Sequence, residues 1–171
     1  MISLAGPFFM LATLLVITGL PKLTNPGGTA RALYSLGIPA TLSTERAIGL
    51  IEIGAGLAAL LIGGRIAAGS VAVVYLGFSV FVALALRSDD VRNCGCFGEK
   101  DVPPSLLHLG IDLAAAAVAT VLLFRPIGSI TAVARETPWA GVPLLLLVAM
   151  GAGLALLALK LLPTTPAGSR A

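Results

Sequence analysis

The stretch Asn93-Cys94-Gly95-Cys96-Phe97-Gly98-Glu99 holds both cysteines of a 171-residue chain. Two thiols one residue apart point to reversible conversion between a dithiol and a disulfide. Fully extended, residues of that spacing sit near the upper limit of the Cα separation a disulfide tolerates, so closure needs a sharp turn, which Gly95 permits. The resulting ring is strained, and strained exposed disulfides are labile rather than structural. It also closes too short a loop to stabilise a fold by much. Free cysteines are common as buried hydrophobes, but these two lie beside Arg92, Glu99 and Lys100, where packing does not require them. Two alternatives stay open: incidental thiols, or half of a metal site. No metal is expected, because zinc takes four ligands and the chain has a single histidine to add.

A second set of chemically capable residues lies within apolar surroundings: Glu52, and His108 with Asp112. Ionisable groups in apolar spans are costly and therefore candidates for function. Ser105 follows Pro103-Pro104 and makes a good helix N-cap. At the rise of an α-helix, His108 then lies about 5 Å into its helix and Asp112 about 10 Å, on one shared face. Glu52 follows Glu45 by seven residues, which places it about 10 Å in by the same rise. Lys22, at the exit of the first apolar stretch, belongs to the same half and is positioned to neutralise a carboxylate. His108 heads the helix that follows the cysteines, and a histidinium or a helix N-terminus lowers a nearby thiol pKa. The plainer readings are a locally satisfied histidine and a polar cluster that holds helices together.

What must position these groups is set by composition: 57% of residues are hydrophobic and 11% charged, and the mean hydropathy is +1.02. A soluble core does not account for such values. Five stretches approach the roughly 18–20 apolar residues a bilayer crossing needs: 2–20, 47–64, 66–86, 106–124 and 142–159. Each must satisfy its backbone internally as a helix, and the alternation of a membrane β-barrel is absent. The expected fold class is an all-α integral membrane protein, an up-down bundle of four core transmembrane helices plus a fifth C-terminal span. The first stretch reads as a span rather than a signal peptide, since it lacks a basic start and a cleavage site before Pro21. Residues 1–125 form the expected four-helix domain, 126–162 an interfacial segment with the fifth helix, and 163–171 a disordered tail. No internal repeat and no soluble domain is evident.

Between the spans, Gly63-Gly64-Arg65 makes a tight hairpin, so the second and third helices are expected to be antiparallel neighbours. Small residues four apart, Gly54 with Ala58, Ala55 with Ala59, and Gly151 with Ala155, are expected to let helices approach closely. Loop segments around Leu33, Tyr34 and Leu36, and around Ile127, Ile130 and Val133 before Trp139, suit interfacial helices. The net charge of +3 does not indicate nucleic acid, because the basic residues are scattered and do not interleave with aromatics. Membrane lipid is the expected surrounding. Eight arginines against three lysines fit a GC-rich bacterial genome. Counting crossings puts Lys22, Arg31, Arg46, Arg87, Arg92, Lys100, Lys160 and Arg170 on the cysteine face, against Arg65, Arg125 and Arg135. The positive-inside rule, taken alone, places the cysteines in the cytoplasm.

A first helix ending in Lys22, a second carrying Glu52, a tight turn, and Cys94-Gly95-Cys96-Phe97-Gly98 before the fourth helix together resemble the MauE/DoxX family of redox-associated membrane proteins. The resemblance covers residues 1 to 125. It implies a thiol-disulfide role, as a possible oxidoreductase, with a thioredoxin-fold partner that can itself be membrane-anchored. The setting it implies is maturation of extracytoplasmic proteins, as for methylamine dehydrogenase, at a bacterial plasma membrane with the cysteine loop outside. That orientation opposes the charge count. Family members tend to carry an arginine where this chain has His108, and the fifth span lies beyond the shared core. No cofactor is required, although a quinone headgroup could reach the depth of the polar residues. The rival readings are a non-redox membrane assembly factor and a soft-metal carrier using the thiol pair.

Overall fold

The computed structural model describes residues 4–88, 91, 103–136 and 138–161. Cys94, Gly95 and Cys96, and the tail expected to be disordered, lie outside the described residues. Among the described residues the chain is all helical, with no strand. Its elements are α1 (Ala5–Thr24), α2 (Gly28–Ser35), α3 (Leu42–Leu61), α4 (Gly64–Ala85), α5 (Leu106–Phe124), α6 (Ile130–Glu136) and α7 (Val142–Leu161), with a 3-10 turn at Pro138–Gly141 before α7. By length and composition α1, α4 and α5 can each cross a membrane. In α3, equally long, the charges of Glu45, Arg46 and Glu52 interrupt the apolar run. A shorter apolar run, Val142–Leu157, lies in α7.

Two boundaries near the ionisable residues differ from the sequence expectation. Pro21 does not end the first helix: α1 runs through it to Thr24, and the Asn25 N–H closes the turn on the Pro21 carbonyl at 2.8 Å. A proline removes one intrahelical donor, which the last turn of a helix tolerates better than its middle. Lys22 therefore sits inside α1 and not in a loop. The second predicted span begins five residues early, at Leu42, because Thr41 caps it in a reciprocal box with Thr44. Polar capping residues carry no apolar signal, so the hydropathy pattern started at Ala47. Glu52 consequently lies ten residues from the first residue of α3, about 15 Å rather than about 10 Å. By contrast, α5 begins where Ser105 predicts, with the Ser105 hydroxyl accepting from the His108 N–H at 3.2 Å.

The bundle is organised as two long pairings: α1 lies along α3, and α4 along α5. Contact between α3 and α4 is lighter, while α7 packs on α1. The expected α3–α4 hairpin is present, turning at Gly63 and Gly64, whose φ values of 71° and 80° suit glycine. The Gly64 N–H donates to the Ile127 carbonyl at 2.8 Å, which fastens this turn to the segment ahead of α6. Phe8, Phe9, Leu15, Val71 and Tyr75 fill the centre. Outward-facing side chains include Ile51, Ile62, Ile66, Val73 and Phe124, an apolar exterior suited to lipid. Both expected loop helices form, as α2 and α6; Tyr34 is exposed on the first, and Trp139 is exposed just after the second.

Close approach of α1 and α3 rests on glycines other than those expected. A Cβ at Gly54 would meet nothing within 4 Å, so the Gly54–Ala58 pair is not a packing seam. Instead a Cβ on Gly19 would come 2.8 Å from the Gly49 carbonyl oxygen, and one on Gly49 would come 2.9 Å from that of Gly19. Gly56 is as tight, at 2.6 Å from the Ala12 carbonyl. The backbones touch at these crossings. The buried face of α3 carries Ala55 and Ala59 as expected, and Gly151 of α7 abuts Met10 of α1.

Candidate functional site

The glycine crossing fixes what lies one turn further along each helix. Three residues after Gly19 comes Lys22; three residues after Gly49 comes Glu52. With the backbones in contact, these long side chains converge. The Lys22 ammonium is 2.8 Å from each carboxylate oxygen of Glu52 and also donates to the Thr18 carbonyl at 3.3 Å. The Thr18 hydroxyl lies 3.3 Å from Glu52 Oε2 and lends a further donor. The Phe78 ring of α4 completes the surroundings, its centroid 5.5 Å from the ammonium. Lys22 is 1% exposed and Glu52 0%, so both charges are withdrawn from the surface, and each is tolerable only because the other is there.

A second buried pair lies on α5. His108 Nε2 and Asp112 Oδ2 are 3.7 Å apart, one turn from each other on the inward face, as their spacing requires. Tyr75 of α4, also buried, donates to the Leu11 carbonyl at 2.9 Å. All four sequence-selected residues that fall among the described ones are thus buried and grouped in two pairs.

Sequence reasoning missed Glu45. Its carboxylate, fully buried, accepts from the backbone N–H groups of Gly27, Thr29 and Ala30 at 2.7, 3.2 and 3.0 Å. The first turn of a helix leaves such donors without partners, and a carboxylate also suits the positive end of the helix dipole. Glycine stands at the N-cap of α2 and brings no side chain of its own. Gly27 at the N-cap position, where a side-chain acceptor usually stands, was the available signal that an acceptor must come from elsewhere. Glu45 thereby pins α2 across the ends of α1 and α3. Thr18, Tyr75 and Phe78 were also missed, because an apolar span gives single-sequence reading no reason to separate them from packing.

Beyond α4 the chain returns to α2: Val91 is buried with Ala32 and Ala85, and Phe81 and Leu36 pack against them. Val91 is the described residue nearest before the cysteines. After the cysteines, Pro103 leads directly into α5 with its His108–Asp112 pair. Both attachments of the cysteine loop thus adjoin the end of the bundle that α2 covers.

The chain matches no curated protein and no solved structure at a level that carries an inference. Residues 1–125 match the family model described as methylamine utilisation protein MauE, a stretch that takes in α1 to α5, both ionisable pairs and the Cys-Gly-Cys loop, and the chain therefore belongs to the MauE family of membrane proteins.

Proposed function

We propose that this chain is a multi-pass protein of a bacterial plasma membrane that exchanges disulfides through Cys94 and Cys96 with a thioredoxin-fold partner, in maturation of extracytoplasmic proteins connected with methylamine utilisation. The observation that carries the reading is family membership over the segment holding Cys94-Gly95-Cys96. In this reading α1, α3, α4 and α5 are the four core crossings and α7 the fifth. The Lys22–Glu52 pair lets α3 cross despite its carboxylate, since a neutralised pair is far cheaper to bury than a lone charge.

The exchange balances without a bound cofactor. A thiolate of the partner attacks one sulfur of the Cys94–Cys96 disulfide; a mixed disulfide forms, and the other cysteine leaves as a thiolate and takes a proton. The second partner thiol then attacks the mixed disulfide, leaving a reduced Cys94/Cys96 pair and an oxidised partner. The reverse sequence reduces the partner. His108, buried in the first turn of α5, is the group proposed to favour the thiolate.

Trapping tests this. With Cys94→Ala or Cys96→Ala the remaining thiol cannot be resolved internally, so at least one single variant is expected to accumulate a mixed disulfide with a thioredoxin-fold protein, visible by non-reducing electrophoresis and mass spectrometry. The double variant is expected to trap none. Equal recovery of that partner from the double variant removes the redox reading.

A further inference from the structure

On the outside of the bundle, α2 and the head of α3 frame a cavity of about 670 Å³. One wall is the outward face of α2, with Arg31, Tyr34 and Ser35; the other is Thr41 and Leu42 at the start of α3. All five are exposed, so the cavity is open on its outer side. α2 follows directly on the end of α1, a helix able to cross a membrane, and the cavity therefore lies where the chain leaves the apolar layer. Its surroundings suit that depth. The Tyr34 ring stands beside an arginine, and Ile38 and Leu42 are exposed near it, the mixture of aromatic, aliphatic and cationic groups found at the level of lipid headgroups.

The charge balance selects the ligand. Among the described residues, every acidic side chain at this end of the bundle is buried: Glu45, Glu52 and Asp112. Glu45, the carboxylate nearest the cavity along the chain, is directed at the backbone N–H groups at the start of α2. Arg31 and Arg46 are exposed, and no described carboxylate lies within ion-pair distance of either. Arg46 stands one turn beyond Leu42 on the same face of α3. A Cβ at Gly27 would come 3.3 Å from Arg31 Nη1, which puts that guanidinium at the edge of the cavity that Gly27 forms. Guanidinium groups offer paired N–H donors that match the oxygens of a phosphate. A zwitterionic headgroup would also bring an ammonium, for which this surface holds no described carboxylate. The exposed tyrosine and aliphatic side chains favour a lipid over a free anion, because they can cover its glycerol and first methylenes.

We propose that this cavity binds the phosphate of an anionic phospholipid, with Arg31 as its main ligand and Arg46 as a second cation at the rim. The site goes beyond the thiol exchange proposed above and does not depend on it. Its place in the fold gives it a consequence. Ala32, on the inward side of α2, is buried with Val91 just ahead of the cysteine loop, so a headgroup that holds α2 at the membrane surface also steadies that attachment.

The test uses the purified full-length protein, delipidated in a neutral detergent and titrated with phosphatidylglycerol or phosphatidylcholine, with bound lipid counted by native mass spectrometry. Expected is one saturable site that takes phosphatidylglycerol in preference to phosphatidylcholine. Arg31→Ala is expected to weaken it about tenfold or more through loss of a charge-assisted hydrogen bond. Arg31→Lys is expected to weaken it less, since the charge stays and only the planar fork is lost. Arg65→Ala/Arg125→Ala removes two exposed cations at the opposite end of the bundle and is expected to leave the affinity unchanged. Ser35→Trp, which fills the cavity without altering its charge, gives the same loss if Arg31→Ala does not fold. The Cys94→Ser/Cys96→Ser variant is expected to bind like the parent, which separates this result from the trapping experiment. Equal affinity for the two lipids, undiminished binding in folded Arg31→Ala, or an equal loss in Arg65→Ala/Arg125→Ala overturns the proposal. Displacement by glycerol 3-phosphate as effective as by phosphatidylglycerol also overturns it, and identifies a site for a free phosphate ester instead.

Discussion

Lys22 and Glu52 are each enclosed by protein, so removing one leaves the other as an uncompensated buried charge. Breaking such a pair costs about 3–5 kcal/mol, whereas replacing both members with apolar side chains of similar size is often close to neutral. Lys22→Met and Glu52→Leu are therefore expected to lower thermal stability in detergent strongly when made singly, and the double variant to recover most of the loss. A double variant as unstable as the sum of the two singles would show that the residues act separately. Glu45 obeys a different rule. Its three backbone donors make it the cap of α2, so its charge is needed for local architecture even though no basic side chain is paired with it in those contacts.

The element that decides the site is the α1–α3 pair, and glycine decides how near those helices come. A methyl group at Gly49 would stand 2.9 Å from the Gly19 carbonyl oxygen, which is backbone and cannot swing away. Gly49→Ala is expected to cost about 1–3 kcal/mol through overpacking. Gly54→Ala, on the same helix but in open space, is expected to be neutral or to stabilise by up to about 1 kcal/mol through helix propensity. Thermal unfolding of the two variants side by side checks this, and equal effects would mean that the crossing is not close-packed.

For the molecule in its membrane, the open question is which face carries the thiols, and burial alters the charge count that bears on it. Lys22 counts toward the cysteine face in the sequence, but it is ion-paired inside the bundle and is not a loop charge. Removing it narrows the bias of the positive-inside rule without reversing it. The expected orientation is with the cysteine loop outside the cytoplasm, as disulfide exchange with an extracytoplasmic partner requires. Because the chain has only two cysteines, a membrane-impermeant maleimide reports directly on this loop. Reduced intact cells of a host without an outer-membrane barrier are expected to be labelled, and the Cys94→Ser/Cys96→Ser variant not. Labelling that needs a permeant maleimide would instead place the thiols before cytosolic reductants and remove the extracytoplasmic exchange reading.

Sequence by itself determined the all-helical class, the extent of α5, the Gly63–Gly64 hairpin and the grouping of His108 with Asp112, because hydropathy, capping and the i,i+4 spacing are local properties. It did not extend α1 past Pro21 or start α3 at Leu42, where a proline and a polar cap hide helical turns from a search for apolar runs. Only the tertiary structure decided that Gly19, Gly49 and Gly56, not Gly54, carry the close crossing of α1 and α3. Gly49 and Gly54 read alike along α3, and which of its faces meets α1 depends on packing between helices far apart in sequence. The same holds for Glu45. It is an ordinary carboxylate near a helix start until folding brings the N-terminus of α2, and its donors, against it.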